Sequence, residues 1–381
     1  MTYQHALRYL SEGQSKDGAT LPVSELLSSL EMPSTTLILI RFSHDKQSSV
    51  AARFLRSILC EASIGCLHII ESDDFEVRDR FLLNGAPLPP TVLCKHAGEL
   101  HSREILLRRR LDTNGQAFPF VERTATLLLR IAAEQDVRVV IIESNGTSLA
   151  DTLTTLASPI SLTAVSATDA GGRRAVASIG KSTSEVITHA LGAVIIRTLS
   201  DACAKSNSRL TVIPRAAIRR REVGWASQLI DTAILSDCRL PAGTALATDA
   251  AALALQVVAS LRRLGISISD EQARRGLNRT VLIAELSPVS IRPLIIADCV
   301  SSPTELLLTM QEISRLSLPH PIRLCIEPSL SLPNEFASLF DEITDRCEES
   351  AFGEDGVTLV MGSRAFLTQM PKKYGKMQKN I

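Results

Sequence analysis

Aromatic residues are scarce in this chain, at 4% of 381 residues with a single Trp. That leaves too few flat side chains for the stacking platforms that hold single-stranded nucleic acid. Net charge is absent as well: 41 Lys and Arg balance 41 Asp and Glu. No global field therefore draws the chain to nucleic acid or to an anionic membrane surface. The eight cysteines include no C-x-x-C pair. This argues against a zinc site or a disulfide framework and for reduced thiols in a cytoplasmic protein. The seven histidines form no H-E-x-x-H, and His96 and His101 are not spaced to share one helical face. No apolar run is long enough to cross a bilayer, because Thr248, Asp249 and Gln256 interrupt the longest one, Ala245–Leu261. The sequence opens without the basic-then-apolar pattern of a signal peptide, and no repeat of solenoid period is present. These absences lead us to expect a cytoplasmic monomer with no nucleic-acid or membrane partner.

What is present is an ordinary globular composition, 45% hydrophobic and 22% charged, in a chain long enough for two domains. Arginines cluster at Arg108–Arg110, Arg173–Arg174 and Arg219–Arg221, which we read as solvated loop or helix ends. The stretch Leu37–Leu59 organises the rest. Leu37–Ile40 is a short apolar run that suits a buried strand. Val50, Ala51, Phe54, Leu55, Ile58 and Leu59 then recur at helical spacing. Between them lies a polar loop, Ser43–Ser49, with a lysine and then serines. Strand, polar loop and helix in that order is the layout of a phosphate-binding loop, yet this loop holds no glycine.

Read in order, helices are predicted over residues 3–10 and 22–31 ahead of the first strand. A helix at 48–62 and a strand at Cys66–Ile70 follow it. Asn84-Gly85 between apolar runs predicts a hairpin. A helix is predicted over 119–135, strands over Val137–Ile142 and Ile160–Val165, a helix over 183–204 and a strand over Leu210–Ile213. Thr248–Leu264 predicts a helix ended by Gly265, and Ser269 is placed to cap another at 271–277. After Pro288 the pattern becomes strand 293–297, helix 303–316, strand 322–326, helix 334–347, strand 357–361 and helix 363–370. This order predicts two modules. One, at 1–288, is a P-loop-type domain with a mostly parallel sheet. The other, at 289–370, is a smaller Rossmann-like α/β domain. Residues 371–381 read as a basic, disordered tail.

Val77-Arg-Asp-Arg80 followed by Asn84-Gly-Ala-Pro-Leu88 resembles the V-R-E-R-I-x-x-N-G-x-P-I segment of the folylpolyglutamate synthase family, within the Mur ligases. Leu359-Val-Met-Gly-Ser363 resembles that family's late L-V-T-G-S turn. Glu122-x-Thr124-Ala125, with the strand into Glu143, resembles the helix and strand before its E-V-G-L-G-G. The resemblance covers nearly the whole chain. It implies ATP-driven amide formation, in which a folate carboxylate is phosphorylated and the amine of glutamate displaces the phosphate. It also implies ATP and Mg²⁺ as cofactors, with folate and glutamate as substrates.

The family's loop is G-T-N-G-K-G-S, and Phe42-Ser-His-Asp-Lys-Gln-Ser48 stands in its place, so 42–49 is a degenerate P-loop. The resemblance assigns Lys46, Ser48 and Ser49 to the phosphates, and Ser48 and Glu143 to the metal. Asp249 and Asp298 are assigned to the nucleotide, and Lys181 to a lid lysine near the chemistry. Departures accumulate beside these matches. All three loop glycines are replaced, although glycine is the residue that adopts φ > 0 cheaply. Asp45 adds a negative charge where phosphates are expected; at about 4 Å and an effective dielectric near 20 that repulsion is about 4 kcal/mol. Ser144–Asp151 keeps Gly146 but not the arginine of G-L-G-G-R-L-D. Asp169 is followed by Ala170 in place of a histidine. Gly243-Thr-Ala-Leu246 replaces G-x-H-Q, and Asp298-Cys-Val-Ser-Ser-Pro303 replaces D-G-A-H-N-P. A rival Walker-like run, Ala175–Ser182, does not directly follow a strand, and we read it as chance or as the lid lysine's surroundings. The sequence thus leaves three readings: an ATP-dependent ligase with eroded ATP and metal motifs, an inactive relative that acts by binding, and an unrelated nucleotide-binding protein that uses Gly180-Lys181.

Overall fold

The computed structural model describes residues 1–11, 37–43, 45–71, 80–110, 120–144, 148–157, 160–165, 179, 183–189, 192–223, 227–282, 285–300, 302–348 and 351–371. The elements are, in order, α1 (Tyr3–Ser11), β1 (Ile38–Ser43), α2 (Lys46–Glu61), β2 (Cys66–Glu71), β3 (Phe81–Leu83), β4 (Ala86–Pro87), α3 (Pro90–Arg110) and α4 (Phe120–Glu134). Next come β5 (Val139–Ser144), α5 (Ser148–Ala157), β6 (Ile160–Val165), β7 (Thr183–His189), α6 (Ala193–Ser206), β8 (Arg209–Ile213), β9 (Arg219–Val223), β10 (Gln228–Asp231) and β11 (Cys238–Leu240). The remainder is α7 (Ala245–Arg263), α8 (Asp270–Arg279), β12 (Glu285–Ile291), β13 (Leu294–Cys299), α9 (Pro303–Ile313), β14 (Ile322–Ile326), β15 (Glu342–Thr344), β16 (Val357–Gly362) and α10 (Arg364–Leu367). Two compact units emerge, Met1–Arg215 with Ala252–Gly276, and Ala216–Ala251 with Leu277–Ile381.

The first unit is built on a sheet of order β4-β3-β2-β5-β1-β6-β7-β8. β2, β5, β1, β6, β7 and β8 run parallel, while β3 and β4 close one edge as an antiparallel hairpin. Asn84 and Gly85 both take positive φ at its turn, the backbone that a two-residue I′ hairpin requires and that Asn-Gly supplies. β1 and β5 are buried along almost their whole length, as central parallel strands covered on both faces must be. On one face Leu37, Leu39, Ile69, Val140 and Ile142 pack with Leu100, Leu128 and Leu153 of α3, α4 and α5. α2 lies against β1, β2 and β5 and buries Val50, Ala51, Phe54, Leu55, Ile58 and Leu59.

Two further contacts hold helices in place in this unit. α8 begins with a reciprocal cap: Ser269 Oγ accepts from the Gln272 N–H at 3.1 Å, and Gln272 Oε1 accepts from the Ser269 N–H at 2.8 Å. Farther along α8, Gly276 lets α2 approach, and Ser57 Oγ donates to the Gly276 carbonyl at 2.8 Å. A methyl group at Gly276 would stand 2.5 Å from Ile58 Cα. Gly276→Ala is therefore expected to destabilise the chain by about 1–3 kcal/mol through overpacking. A urea melt of that variant that superimposes on the parent's would show that the helices separate freely.

α1 is tied down by a buried cluster. Tyr9 Oη donates to Glu104 Oε2 at 2.6 Å, and Arg123 Nη1 donates to the Tyr9 carbonyl at 2.6 Å. Arg123 Nη2 stands 3.3 Å from Glu104 Oε1, and its guanidinium lies 4.2 Å over the Tyr9 ring.

The second unit holds a three-stranded antiparallel sheet, β11-β10-β9, and a five-stranded sheet, β12-β13-β16-β14-β15. In the latter β13, β16, β14 and β15 are parallel, and β12 is an antiparallel edge. One face of this sheet packs Ile296, Leu306, Met310, Leu324 and Leu359. The other packs Ile295, Cys325, Val360, Phe366 and Met370. Despite Thr248, Asp249 and Gln256, and contrary to the sequence reading, α7 has the length and mean hydropathy of a membrane-crossing helix, but 67% of its most apolar stretch is buried within the fold, the pattern of a core helix.

The mostly parallel sheet, the second smaller sheet and the Asn84-Gly85 hairpin follow the sequence reading. Three local expectations do not. Residues 183–204 are not one helix but β7 followed by α6. The β-branched run Thr183–Thr188 suits a strand, and β7 lies between β6 and β8. Residues 334–347 are not a helix either: a 3₁₀ turn at Asn334–Leu339 is followed by β15, whose Ile343 pairs with Leu324. The polar loop at 43–49 is shorter than expected, because Lys46–Ser49 already form the first turn of α2. The helix expected at 22–31, the segment Val77–Asp79 and the tail from Lys372 lie outside the described residues.

Candidate functional site

The C-terminal ends of β1, β2 and β5 are aligned: Phe42 and Ile70 both register with Glu143, and Ser43 and Glu71 with Ser144. In open α/β sheets that edge is where ligands bind. The α2 N-terminus also opens there, with its unpaired N–H groups and the positive end of its dipole.

In this chain one of those groups, the Ser48 N–H, is taken by the chain itself. Asp45 is the N-cap of α2, in extended backbone, and its Oδ1 accepts from the Ser48 N–H at 3.0 Å. Its Oδ2 accepts from Ser43 Oγ at 2.5 Å and from Ser48 Oγ at 3.0 Å. The two hydroxyls also touch each other, at 2.8 Å. Ser48 is fully buried. Among residues 43 and 45–49 no backbone takes positive φ, so the segment is an Asp-capped helix start and not an open ring of N–H groups. Lys46 opens the helix half-buried.

Glu143 is likewise engaged. It is 2% exposed, at the end of β5. One oxygen accepts from Ser49 Oγ, and the other lies 2.6 Å from His68 Nε2. His68 is fully buried on β2, and its Nδ1 lies 3.3 Å from Arg56 Nη1. A guanidinium only donates, so Nδ1 accepts and the ring is neutral, with its single proton on Nε2 toward Glu143. Burial lowers the His68 pKa, against the pull of Glu143. Burial pushes Glu143 up, but the His68 and Ser49 hydrogen bonds, with Arg53 nearby, outweigh it and hold the carboxyl at about 2.

Both folded pKa values lie below the unfolded ones, so the unfolded chain takes up protons first on acidification and stability falls. Their contribution is complete above the ordinary histidine value of about 6.5. It erodes first through His68, and then through Glu143 between about 4.3 and 2. The urea midpoint is expected to fall as the pH drops through about 6.5, and His68→Gln to flatten that fall. Identical slopes for parent and variant would remove His68 as the cause.

Of the other expected residues, Asp298 is 1% exposed at the end of β13. Its oxygens accept from the Leu286 N–H at 2.9 Å and from Thr309 Oγ1 at 2.6 Å. It therefore tethers β12 and α9 to β13. Ser302 caps α9 by accepting from the Glu305 N–H at 3.3 Å. Asp249 lies half-buried in the first turns of α7. The start of that helix is built by Gln228, whose Oε1 accepts from Arg220 Nε at 2.8 Å and from Thr248 Oγ1 at 3.0 Å. Glu312 Oε2 accepts from the Ala245 N–H at 2.8 Å. Lys181, Asp169, Ala170 and Ser301 lie outside the described residues.

The structure thus joins Ser49 to Glu143 and Ser48 to Asp45. Sequence reasoning missed His68 and the capping role of Asp45. The first had no motif to mark it. The second was legible as Asp three residues before a buried serine at a helix start. Magnesium does not fit this donor set as arranged, since Ser48 Oγ is buried against Asp45 and Ser43, and both Glu143 oxygens already have donors. Among the described residues no group of three His, Cys, Asp or Glu converges as a metal site.

No protein-family model and no curated protein sequence matches the chain. Solved structures do. The apo form of the Lactobacillus casei folylpolyglutamate synthase superposes with a TM-score of 0.75 at 14% identity, over 97% of this chain and 98% of that one. A complex of folylpolyglutamate synthase with AMPPCP and folate gives 0.72 at 15% identity, over 97% and 98%. The Thermotoga maritima folylpolyglutamate synthase gives 0.68 at 17% identity, over 98% of each chain. At these identities the likeness is one of architecture, and it runs the length of the molecule: this chain has the folylpolyglutamate synthase fold.

Proposed function

We propose that this chain is an ATP-dependent acid–amino-acid ligase by lineage, of the type that adds glutamate to a folate, with its ATP handling weakened by its own side chains. The observation that carries the lineage is the whole-length match to a folylpolyglutamate synthase fold, including a complex with AMPPCP and folate. Lys46 and Glu143 support it, since both stand at the strand edge where such a site would lie. Lys46 would draw the phosphates electrostatically, and the helix dipole would assist it. Asp45 opposes both by holding a carboxylate at the same helix end. In this reading 1–288 is the ATP-binding module and 289–370 the glutamate-ligase-like module of a cytoplasmic monomer. Lys181 is the lid lysine.

A second reading is a protein that keeps the fold to bind a folate-like ligand or a partner without turnover. The closed Asp45–Ser43–Ser48 cluster favours it. One experiment separates the two: ATP-dependent incorporation of labelled glutamate into a folate by the purified protein, beside Lys46→Ala. We expect slow incorporation that Lys46→Ala abolishes. Incorporation that survives Lys46→Ala would remove the α2 N-terminus from the chemistry, and none at any ATP concentration would leave the binding reading.

A further inference from the structure

Cys325 and Cys347 stand with their sulfurs 2.9 Å apart. Both are free thiols. The pairing of β14 with β15 sets Cys325 opposite Thr344, and the chain leaving β15 brings Cys347 into the same apolar cluster, with Phe352, Val360 and Phe366. Cys325 is fully buried, and Cys347 is 8% exposed. Two inert side chains would rest at the ~3.5–4.0 Å of ordinary apolar contact, and these sulfurs are closer. A disulfide sets them at about 2.05 Å, so closing the bond asks for less than ~1 Å of movement.

β15 gives the pair something to act on. It is a three-residue edge strand that, among the described residues, pairs only with β14, and Glu342 and Ile343 are exposed. We propose that Cys325 and Cys347 are a redox-modification site, closing as a reversible disulfide that pins the end of β15 to β14 when a small-molecule disulfide is the oxidant. Cys347, the more accessible thiol, attacks one sulfur of the small disulfide as its thiolate, and one small thiol leaves. Cys325 then attacks the Cys347 sulfur of the mixed disulfide, and the second small thiol leaves. Two protein thiols are oxidised, one small disulfide is reduced to two thiols, and the two protons go to the leaving thiolates. Cys325 is held back as a first attacker, because its hydrogen bond to Cys347, and then burial, push its pKa up.

The test treats the full, folded chain with oxidised glutathione, quenches it with acid, denatures it and counts reactive thiols. We expect two fewer than the eight of the untreated chain, a peptide linking Cys325 to Cys347, and recovery of all eight with dithiothreitol. Cys299→Ser should still lose two thiols, whereas Cys347→Ser should form no link. An unchanged count, a glutathione adduct that never resolves, or links joining other cysteines would overturn the proposal. If Cys347→Ser fails to fold, the peptide map of the unsubstituted chain decides alone.

Discussion

Asp45→Gly should bind an ATP analogue at least tenfold more tightly than the parent chain. The carboxylate holds the Ser48 N–H and both flanking hydroxyls, so an incoming phosphate must displace it as well as endure its charge. At about 4 Å and an effective dielectric near 20 that charge alone opposes a phosphate by about 4 kcal/mol. Against this stands the loss of a helix cap, which for a change to glycine costs only roughly a few tenths of a kcal/mol of stability. Asp45→Asn separates the two terms, since it removes the charge and keeps a capping oxygen. We expect it to gain less than Asp45→Gly, and Lys46→Ala added to either variant to cancel the gain. Calorimetric titration with AMPPCP reads all five chains. Equal affinity for parent and Asp45→Gly would mean that the internal carboxylate is not what limits binding.

Arg123→Ala should cost about 3–5 kcal/mol of stability. Its side chain and that of Glu104 are 5% and 2% exposed, so the substitution removes a cation that stands 3.3 Å from a buried carboxylate. It also removes the cover over the Tyr9 ring and the donor to the Tyr9 carbonyl, which loosens α1 from α3 and α4. Arg123→Met combined with Glu104→Leu should recover most of the loss, because two apolar groups of similar volume are tolerated where a lone charge is not. A loss below about 1 kcal/mol in urea unfolding of the single variant would show that water reaches Glu104.

The sequence makes the buried centre of the fold readable because parallel strands covered on both faces are near-continuous apolar runs. Leu37–Ile40 and Ile160–Val165 need no partner to be recognised. Thr183–His189 was hidden by its mixed polar and β-branched character and by the apolar helix that follows it. β15 was hidden because its three residues become a strand only through pairing with β14, which local propensity does not report. The site was half legible. A lysine and a serine at a helix start beside a strand-end glutamate can be read from spacing. Which acceptor each hydroxyl chooses is set by side-chain packing, so the sequence marks Asp45 as a cap by its position but does not show that it also takes the Ser43 and Ser48 hydroxyls or that His68 reaches Glu143.

The order of the central strands carries a consequence for how the molecule comes into being. β1 and β2 are neighbours along the chain but not in the sheet, because β5 lies between them. Neither can complete its ladder on that side until residues 139–144 arrive. Closing such long loops precedes any gain from the contacts they make, which slows assembly. During synthesis the α2 N-terminus therefore exists before the strand that carries Glu143, and both flanking edges stay open to mispairing. A nascent chain halted before Val139 should be far more prone to aggregate than one halted after Val165.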